Sequence, residues 1–227
     1  MPVYELDPYY MAFPPADHAD ESGLLAIGGE LREDWIILAY QSGIFPWFNE
    51  GDPVQWWSPD PRILLHVDDV KIQKSMRPLL NSGDYEFKLD TSFEDVISKC
   101  AEIPRHGQNG TWITEHMIDA YSRLHDIGIA HSAEVWHEGV LIGGLYGLSL
   151  GNMFFGESMF SDKPNASKLA LIRFCSWLKG KGFEWIDCQI YSRHLERMGA
   201  RTVSRAAFLD LLDDALEEKT RVGKWVV

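Results

Sequence analysis

Residues 92–217 carry apolar positions at two alternating periods, which predict helices and strands in turn. Spacings of three and four residues, the period of a helix with one buried face, predict helices that begin at Ser92 and Thr114. A third helix should end at Gly180, and a last one should run around Phe208–Ala215. The segments between the helices are alternately or continuously apolar, which is typical of strands. This region therefore combines helices with strands throughout.

The order of the predicted strands indicates how they pair. Ala130–Trp136, Val140–Leu150 and Met153–Met159 are joined by tight turns, so they should form an antiparallel meander. Trp185–Ile190 follows the next helix, and a strand, helix and strand in succession form a right-handed crossover. The third and fourth strands should therefore be parallel. Their carboxyl ends should open the same crevice, where ligands bind in such sheets.

Residues 1–65 lack these periods apart from one short helix before Gly43. Prolines in residues 44–48 and 56–61 enforce loops, because proline lacks a backbone N–H. We therefore expect a small N-terminal lobe, residues 1–65, and a catalytic domain, residues 66–227. The fold class should be α/β (α+β), and the meander with its crossover predicts an acetyltransferase-like (GNAT-like) domain with a mixed sheet.

Composition and charge limit the classes of function. At 227 residues and 45% hydrophobic content the chain can bury a core without disulfides, and its 3 cysteines fit no disulfide framework. No run approaches the roughly 18 apolar residues of a membrane span, and the N-terminus lacks an export signal, so we expect a cytoplasmic protein. The net charge of -13 disfavours broad phosphate binding. It favours a small cationic ligand, such as a peptide beginning with Lys or Arg.

Glu157 is the most conspicuous candidate for chemistry. Alternation along its strand places it on the same face as Phe155 and Met159, where a carboxylate is out of place. A buried carboxylate without a partner is unfavourable, so it should be paired, protonated or ready for a cationic ligand such as an α-ammonium group. An internal salt bridge, for example to Arg173 or Arg193, is the alternative.

Asp187 and Gln189 form a second candidate pair. They lie two residues apart on the last parallel strand and should point to one side, while Cys188 points to the other. The Asp can accept from the Gln amide and fix its orientation, so that the amide oxygen can receive an amine proton. The alternative is a hydrogen-bonded pair that only terminates the strand.

Three other patterns indicate what the chain lacks. Residues 147–151 match GxSxG, but a strand resumes directly afterwards, which favours a hairpin over a hydrolase nucleophile turn. The turn at residues 161–167 has no glycine and contains a proline and an acid, so it is poorly suited to the pyrophosphate of coenzyme A. The 8 histidines include no metal-ligand motif such as HExxH. We therefore expect no metal and no cofactor.

Six ordered blocks along nearly the whole chain resemble the bacterial leucyl/phenylalanyl-tRNA-protein transferases. Together they are far more specific than any one motif. The blocks are Gly23–Gly29, Gly43–Phe48, Trp56–Arg62, Gly110–Thr114, Gly156–Ser161 and Ile186–Gln189.

The resemblance implies transfer of Leu or Phe, and possibly Met, from aminoacyl-tRNA to proteins that begin with Lys or Arg, which marks them for degradation. It implies an acetyltransferase-like domain that needs neither coenzyme A nor metal. Glu157 would orient the amino group of the aminoacyl ester, and Asp187 and Gln189 would relay the proton of the attacking amine. Trp47 and Trp112 would hold the terminal adenosine. The corresponding pocket for the Leu or Phe side chain would contain Phe154, Leu171, Phe174 and Ile186.

Two features qualify this correspondence. The best basic feature for the tRNA body is Lys71, Lys74 and Arg77, which are spaced at three and should share one helix face. Phe155 is larger than expected beside Glu157, which would narrow the pocket. Two other functions stay open, a coenzyme A-dependent N-acyltransferase and a non-catalytic binder of aminoacyl-tRNA. We expect a monomer.

Overall fold

A computed structural model describes residues 3–103 and 111–227. Gly110, which opens one of the six blocks, lies outside these residues. The N-terminal part forms a four-stranded sheet in the order β1-β2-β4-β3, with one helix beside it. Its elements are β1 (Tyr4–Leu6), β2 (Leu24–Gly28), α1 (Glu33–Gln41), β3 (Phe45–Pro46) and β4 (Gln55–Trp57).

The rest of the chain forms a seven-stranded sheet with helices on both faces. The strands are β5 (Arg62–His66), β6 (Tyr85–Leu89), β7 (Ala130–His137), β8 (Val140–Leu150), β9 (Met153–Ser161), β10 (Trp185–Gln189) and β11 (Arg201–Val203). The helices are α2 (Arg77–Asn81), α3 (Phe93–Glu102), α4 (Glu115–Asp126), α5 (Ala166–Gly180), α6 (Arg193–Met198) and α7 (Arg205–Glu217). The strand order is β11-β5-β10-β9-β8-β7-β6.

The predicted connectivity of this sheet is confirmed. β7, β8 and β9 form the antiparallel meander, and α5 leads from β9 to β10, which pairs with β9 in parallel. The helix predicted to begin at Thr114 does so, since the Thr114 hydroxyl accepts a hydrogen bond from the Met117 N–H at 3.3 Å. The helix after Ser92 is capped differently, because the buried Glu134 carboxylate accepts from the Ser92 N–H. The predicted α/β class, with a small N-terminal lobe and a larger mixed sheet, is therefore confirmed.

The larger sheet separates two buried clusters. α5 packs on one face together with Phe154 and Ile186, whereas α1, α3, α4 and α7 pack on the other face together with Phe155. This second cluster is continuous with the core of the N-terminal sheet. β5 already pairs with β10 and β11 across residues 62–66, so the division at residue 65 falls inside a strand of the larger sheet and stays a prediction. Among the described residues, no helix is long and apolar enough to cross a bilayer.

The single helical face expected for Lys71, Lys74 and Arg77 is wrong. Lys71 lies in an irregular segment, Lys74 begins a short 3-10 turn, and Arg77 begins α2. All three side chains are exposed. Their role in binding tRNA stays a prediction.

Candidate active site

A cavity of about 610 Å³ opens where β9 and β10 separate. The two strands pair in register only from Trp185 to Asp187. Beyond that point β10 has an irregularity against β5, and Gln189 adopts the left-handed backbone conformation with φ 61°. Residues from β8, β9, β10, α5 and the N-terminal lobe line the cavity, so it lies at the carboxyl ends of the two parallel strands, as predicted.

Glu157 lies in the wall of this cavity and is the only carboxylate among the described lining residues. Its Oε1 accepts hydrogen bonds from the Tyr40 hydroxyl at 2.5 Å and from the Gln189 side-chain amide at 2.7 Å. The Tyr121 hydroxyl donates to Oε2 at 3.2 Å. All three donors are neutral. The alternative of a salt bridge to Arg173 is not supported, because Arg173 donates to the Leu80 carbonyl instead.

Burial raises the pKa of the Glu157 carboxyl from 4.5 to about 7, and the charge of Asp187 contributes in the same direction. The hydrogen bonds from Tyr40, Gln189 and Tyr121 oppose this shift. Burial together with the charge of Glu157 also raises the pKa of the Tyr40 and Tyr121 hydroxyls well above 10, so both remain protonated donors. A carboxyl group that ionises near neutral pH inside a cavity is typical of a functional site.

Asp187 does not reach the cavity. Its carboxylate forms a bidentate ion pair with Arg62, at 2.9 Å from Nε and 2.7 Å from Nη2, and both side chains are 0% exposed. Its Oδ1 also accepts the backbone N–H of Gln189 at 2.9 Å. Asp187 therefore orients Gln189 through the main chain, whereas the Gln189 side-chain amide donates to Glu157.

The prediction that Asp187 and Gln189 face the crevice together is wrong, because Gln189 lines the cavity and Asp187 does not. Asp187 and Cys188 do point to opposite sides of the strand, since Asp187 pairs with Arg62 beside Phe45 and Phe208, whereas Cys188 packs with Ile186. The irregularity after Asp187 brings Gln189 to the cavity. Burial raises the pKa of the Cys188 thiol far above its ordinary value, which leaves it an unreactive thiol. The hairpin predicted in place of a GxSxG nucleophile turn is confirmed by β8 and β9.

Five of the six predicted substrate-binding residues line the cavity: Trp47, Trp112, Phe154, Leu171 and Ile186. Phe174 does not. Its ring packs edge-on against the Phe154 ring at 4.7 Å and is fully buried, so it supports the wall rather than forming it. Phe155 does not narrow the cavity, because its ring is buried against Tyr40 at 5.2 Å on the other face of the sheet.

Sequence reasoning missed Arg62, Tyr40 and Tyr121. Arg62 opens β5 directly before the buried apolar run Ile63–Leu65, and its guanidinium packs over the Phe45 ring at 4.7 Å and the Phe208 ring at 4.4 Å. A cation at the start of a buried apolar run could have indicated a buried ion pair. The two tyrosines occupy ordinary core positions of amphipathic helices, so nothing local distinguished them.

The turn that would receive coenzyme A pyrophosphate is occupied by its own contacts. The Ser167 N–H at the start of α5 donates to the Ser161 hydroxyl at 3.2 Å, and Asp162 places a carboxylate beside it that pairs with Lys99. In residues 3–103 and 111–227 the structure contains no cluster of three or more side chains suited to a metal ion.

Comparison with known proteins assigns the chain to a family. The model for leucyl/phenylalanyl-tRNA protein transferase matches residues 64–213, and the model for the N-terminal domain of the same family matches residues 29–60. This chain belongs to the leucyl/phenylalanyl-tRNA protein transferase family. The predicted resemblance is thus confirmed, and the chain is a transferase enzyme of that family.

Curated relatives in the leucyl/phenylalanyl-tRNA protein transferase family are similar over almost their full lengths. The Myxococcus xanthus protein is 50% identical over 226 residues, which cover 99% of this chain and 97% of that protein. The Flavobacterium johnsoniae protein is 52% identical over 200 residues, which cover 88% of this chain and 94% of that protein. Among solved structures, a GCN5-related N-acetyltransferase from Kribbella flavida has a TM-score of 0.40 and 9% identity, covering 74% of this chain and 60% of that one. That likeness is too low to support an inference.

The raised pKa of Glu157 predicts that Glu157→Gln stabilises the protein at alkaline pH. Between pH 4.5 and about 7 the unfolded chain releases the carboxyl proton while the folded protein keeps it, so the free energy of unfolding falls as pH rises. Glutamine removes this loss, and we expect a gain of about 3 kcal/mol near pH 8 and almost none near pH 4. Urea unfolding at both pH values measures this gain in the free energy of unfolding. Glu138→Gln, at an exposed position, is the control. If the free energy of unfolding of Glu157→Gln differed from that of the parent by the same amount at both pH values, the raised pKa of Glu157 would be contradicted.

Proposed function

We propose that the cavity between β9 and β10 is where this enzyme transfers a leucyl or phenylalanyl group from tRNA to a protein that begins with Lys or Arg. The terminal adenosine of the tRNA would lie against Trp47 and Trp112, and the amino-acid side chain against Phe154, Leu171 and Ile186. The observation that carries the proposal is the position of Glu157, a lone carboxylate in the wall of a largely apolar cavity.

Glu157 suits the amino group of an aminoacyl ester. Its present hydrogen bonds come from neutral groups, so above its pKa of about 7 it has a negative charge that nothing in its direct contact neutralises. An ammonium group in the cavity would supply a charge-assisted hydrogen bond, which is about twice as strong as a neutral one. The bound amino group would in turn lower the pKa of Glu157 and stabilise its charged form.

The reaction is aminolysis of an ester. The acceptor amine forms a C–N bond with the ester carbonyl carbon, the bond from that carbon to the ribose oxygen breaks, and the amine proton ends on the departing ribose hydroxyl. An N-terminal amine has a pKa of about 7.7–8.0, so part of it is already neutral near pH 7. Because Gln189 donates its amide N–H to Glu157, its amide oxygen is available to accept from the attacking amine. Alignment of the reactants can supply ~7 to 11 kcal/mol.

The apolar wall accounts for a choice among hydrophobic amino acids. Such a pocket distinguishes side chains by about 1–3 kcal/mol per methylene, so Leu, Phe and Met should overlap as donors. Charged side chains would have to lose their water without gaining a partner, so they should be excluded sharply.

The net charge of -13 supports an acceptor with a cationic N-terminus. The same net charge supports a mode of tRNA binding that depends on few phosphate contacts. The exposed side chains of Lys71, Lys74 and Arg77 are the candidates for those contacts. We propose that the modified proteins are thereby marked for degradation, and that the enzyme acts in the cytoplasm as a monomer. No contact described above favours coenzyme A as donor.

Product mass decides whether the reaction takes place. The enzyme is mixed with Leu-tRNA and a peptide that begins with Arg, and mass spectrometry should find one added Leu at the N-terminus. Uncharged tRNA and an N-acetylated peptide are the controls. Binding of Leu-tRNA without any modified peptide would overturn the proposal in favour of a non-catalytic binder, and transfer from an acyl-coenzyme A would favour an acyltransferase.

The two cavity tryptophans predict a binding defect. Stacking of a base on an aromatic ring contributes about 1–3 kcal/mol, so Trp112→Leu and Trp47→Leu should each raise KM for Leu-tRNA about tenfold or more, with a smaller change in kcat. Steady-state kinetics at fixed salt measures this. Trp136→Leu, which removes a half-buried ring outside the cavity, is the matched control and should leave KM within about twofold of the parent.

A further inference from the structure

The third residue from the C-terminus is buried although its neighbours are exposed. Trp225 is 3% exposed, whereas Lys224 and Val226 lie at the surface. Its ring stacks on His131 with the ring centroids 3.6 Å apart and also contacts other aromatic rings on the α5 face of the sheet. Those other rings are Phe154, Phe174, Trp177 and Phe183.

Hydrogen bonds on both sides of Trp225 fix its position in the core. The Trp225 N–H donates to Asp90 Oδ2 at 2.7 Å, and the same carboxylate is fixed by the Ser132 N–H and by His131 Nδ1. On the far side, the Trp177 indole N–H donates to the Val226 carbonyl at 3.1 Å. The segment therefore cannot slide along the sheet without breaking contacts on both sides of the ring.

A second attachment lies two residues earlier. The Gly223 N–H donates to the Gly128 carbonyl at 3.1 Å. The two backbones approach so closely that a Cβ at Gly128 would lie 2.2 Å from the Gly223 nitrogen, and Gly128 has φ +75°. Residues 222–227 are thus built into the fold.

Phe154 connects this segment to the cavity. Of the described rings that contact Trp225, Phe154 alone lines the cavity. On its other sides the Phe154 ring meets the edge of Phe174 at 4.7 Å and the backbone of Gly147, where a Cβ would come within 2.8 Å of it. The ring is therefore confined between β8, α5 and the C-terminal segment, and Trp225 occupies the space into which it could retreat.

We infer that Trp225 is a specificity-determining residue, because it fixes the position of the Phe154 ring and hence the room for the donor side chain in the cavity. This inference rests on the proposed function, in which Phe154 contacts that side chain. It concerns a residue outside the stretch that the family model matches, residues 64–213. Trp225 acts through Phe154 and is a positioning residue.

The test compares donors within one variant. Trp225→Leu gives Phe154 room to move away from the cavity, so the ratio of kcat/KM for Phe-tRNA to that for Leu-tRNA should rise about tenfold, and Trp225→Phe should lie between this variant and the parent. A ratio is independent of how much of the sample is folded. If Trp225→Leu fails to fold, the smaller change Trp225→Phe still decides.

Trp35→Phe is the matched control, since it removes the same atoms as Trp225→Phe from a fully buried tryptophan that belongs to a different buried cluster from Phe154. Its donor ratio should equal that of the parent. The inference about Trp225 is wrong if the parent enzyme transfers both amino acids and both Trp225 variants keep the parental ratio of kcat/KM for Phe-tRNA to kcat/KM for Leu-tRNA. The proposed function would then remain intact. A parent that transfers neither would overturn the proposed function itself.

Discussion

Replacing Glu157 by glutamine is expected to slow transfer from Leu-tRNA about 100-fold, because a charge-assisted hydrogen bond contributes about 1.5–3 kcal/mol. The substitution keeps the size of the side chain and removes its charge. The donors that now hold the carboxylate, Tyr40, Tyr121 and Gln189, can still contact the new amide, so the fold should persist. The variant lacks the negative charge that would bind the amino group of the aminoacyl ester. Single-turnover rates with an Arg-initial peptide measure the loss.

Ser149→Ala is the matched control for this substitution. Ser149 is buried in β8 outside the cavity, and its hydroxyl has no hydrogen-bond partner among the described residues. Its removal should leave the rate within about twofold of the parent. Equal rates for Glu157→Gln, Ser149→Ala and the parent would contradict the assignment of Glu157.

The pH profile separates the charge of Glu157 from that of the acceptor amine. The acceptor amine loses its proton near pH 8 in both enzymes, so both rates rise there. Only the parent should also gain activity as Glu157 ionises near pH 7. The ratio of parent to Glu157→Gln should therefore increase from about pH 6 to pH 8, although the same variant becomes relatively more stable over that range. Opposite effects on rate and stability are expected where a charge is kept for function.

Local periodicity was sufficient to place the strands around Glu157, and the crossover through α5 put Gln189 on the neighbouring parallel strand. The single face predicted for Phe155, Glu157 and Met159 is wrong. An irregularity in β9 leaves Glu157 out of the pairing with β8, so Phe155 and Met159 pack in opposite buried clusters. The pairing of β7, β8, β9 and β10 and the crevice at the carboxyl ends followed from connection lengths and handedness, which sequence also carries, whereas β5, β6 and β11 were not predicted.

Contacts between distant parts of the chain could not be inferred in this way. Tyr40 meets Glu157 across 117 sequence positions, and Arg62 meets Asp187 across 125. Alternation separates Asp187 from Cys188 correctly, but the irregularity after Asp187 brings Gln189 to the cavity without Asp187, which the spacing of residues does not predict. Phe174 shows a different limit, because the helical period predicts which face of α5 is buried but not whether a residue lies in the cavity wall or behind it.

The buried pair Arg62–Asp187 predicts a large loss of stability when one partner is removed. Asp187→Asn leaves the guanidinium buried without a counter-charge, so the free energy of unfolding should fall by about 3–5 kcal/mol. Arg62→Met should have a similar effect by leaving the carboxylate. The double variant Arg62→Met/Asp187→Leu contains neither charge and should recover most of the stability. Urea unfolding measures these changes, and the parent, Asp187→Asn, Arg62→Met and Arg62→Met/Asp187→Asn form the cycle that gives the coupling between the two positions.

Activity of the double variant distinguishes positioning from proton relay. Leucine at position 187 cannot accept the Gln189 N–H, so Gln189 loses the contact that holds its left-handed backbone, and transfer should fall at least tenfold although the protein is stable. Arg62→Met/Asp187→Asn keeps a neutral acceptor for that N–H and should restore most of the rate. If this second double variant is stable but as slow as the first, the charge of Asp187 takes part in the reaction directly, and its assignment as a residue that orients Gln189 is wrong.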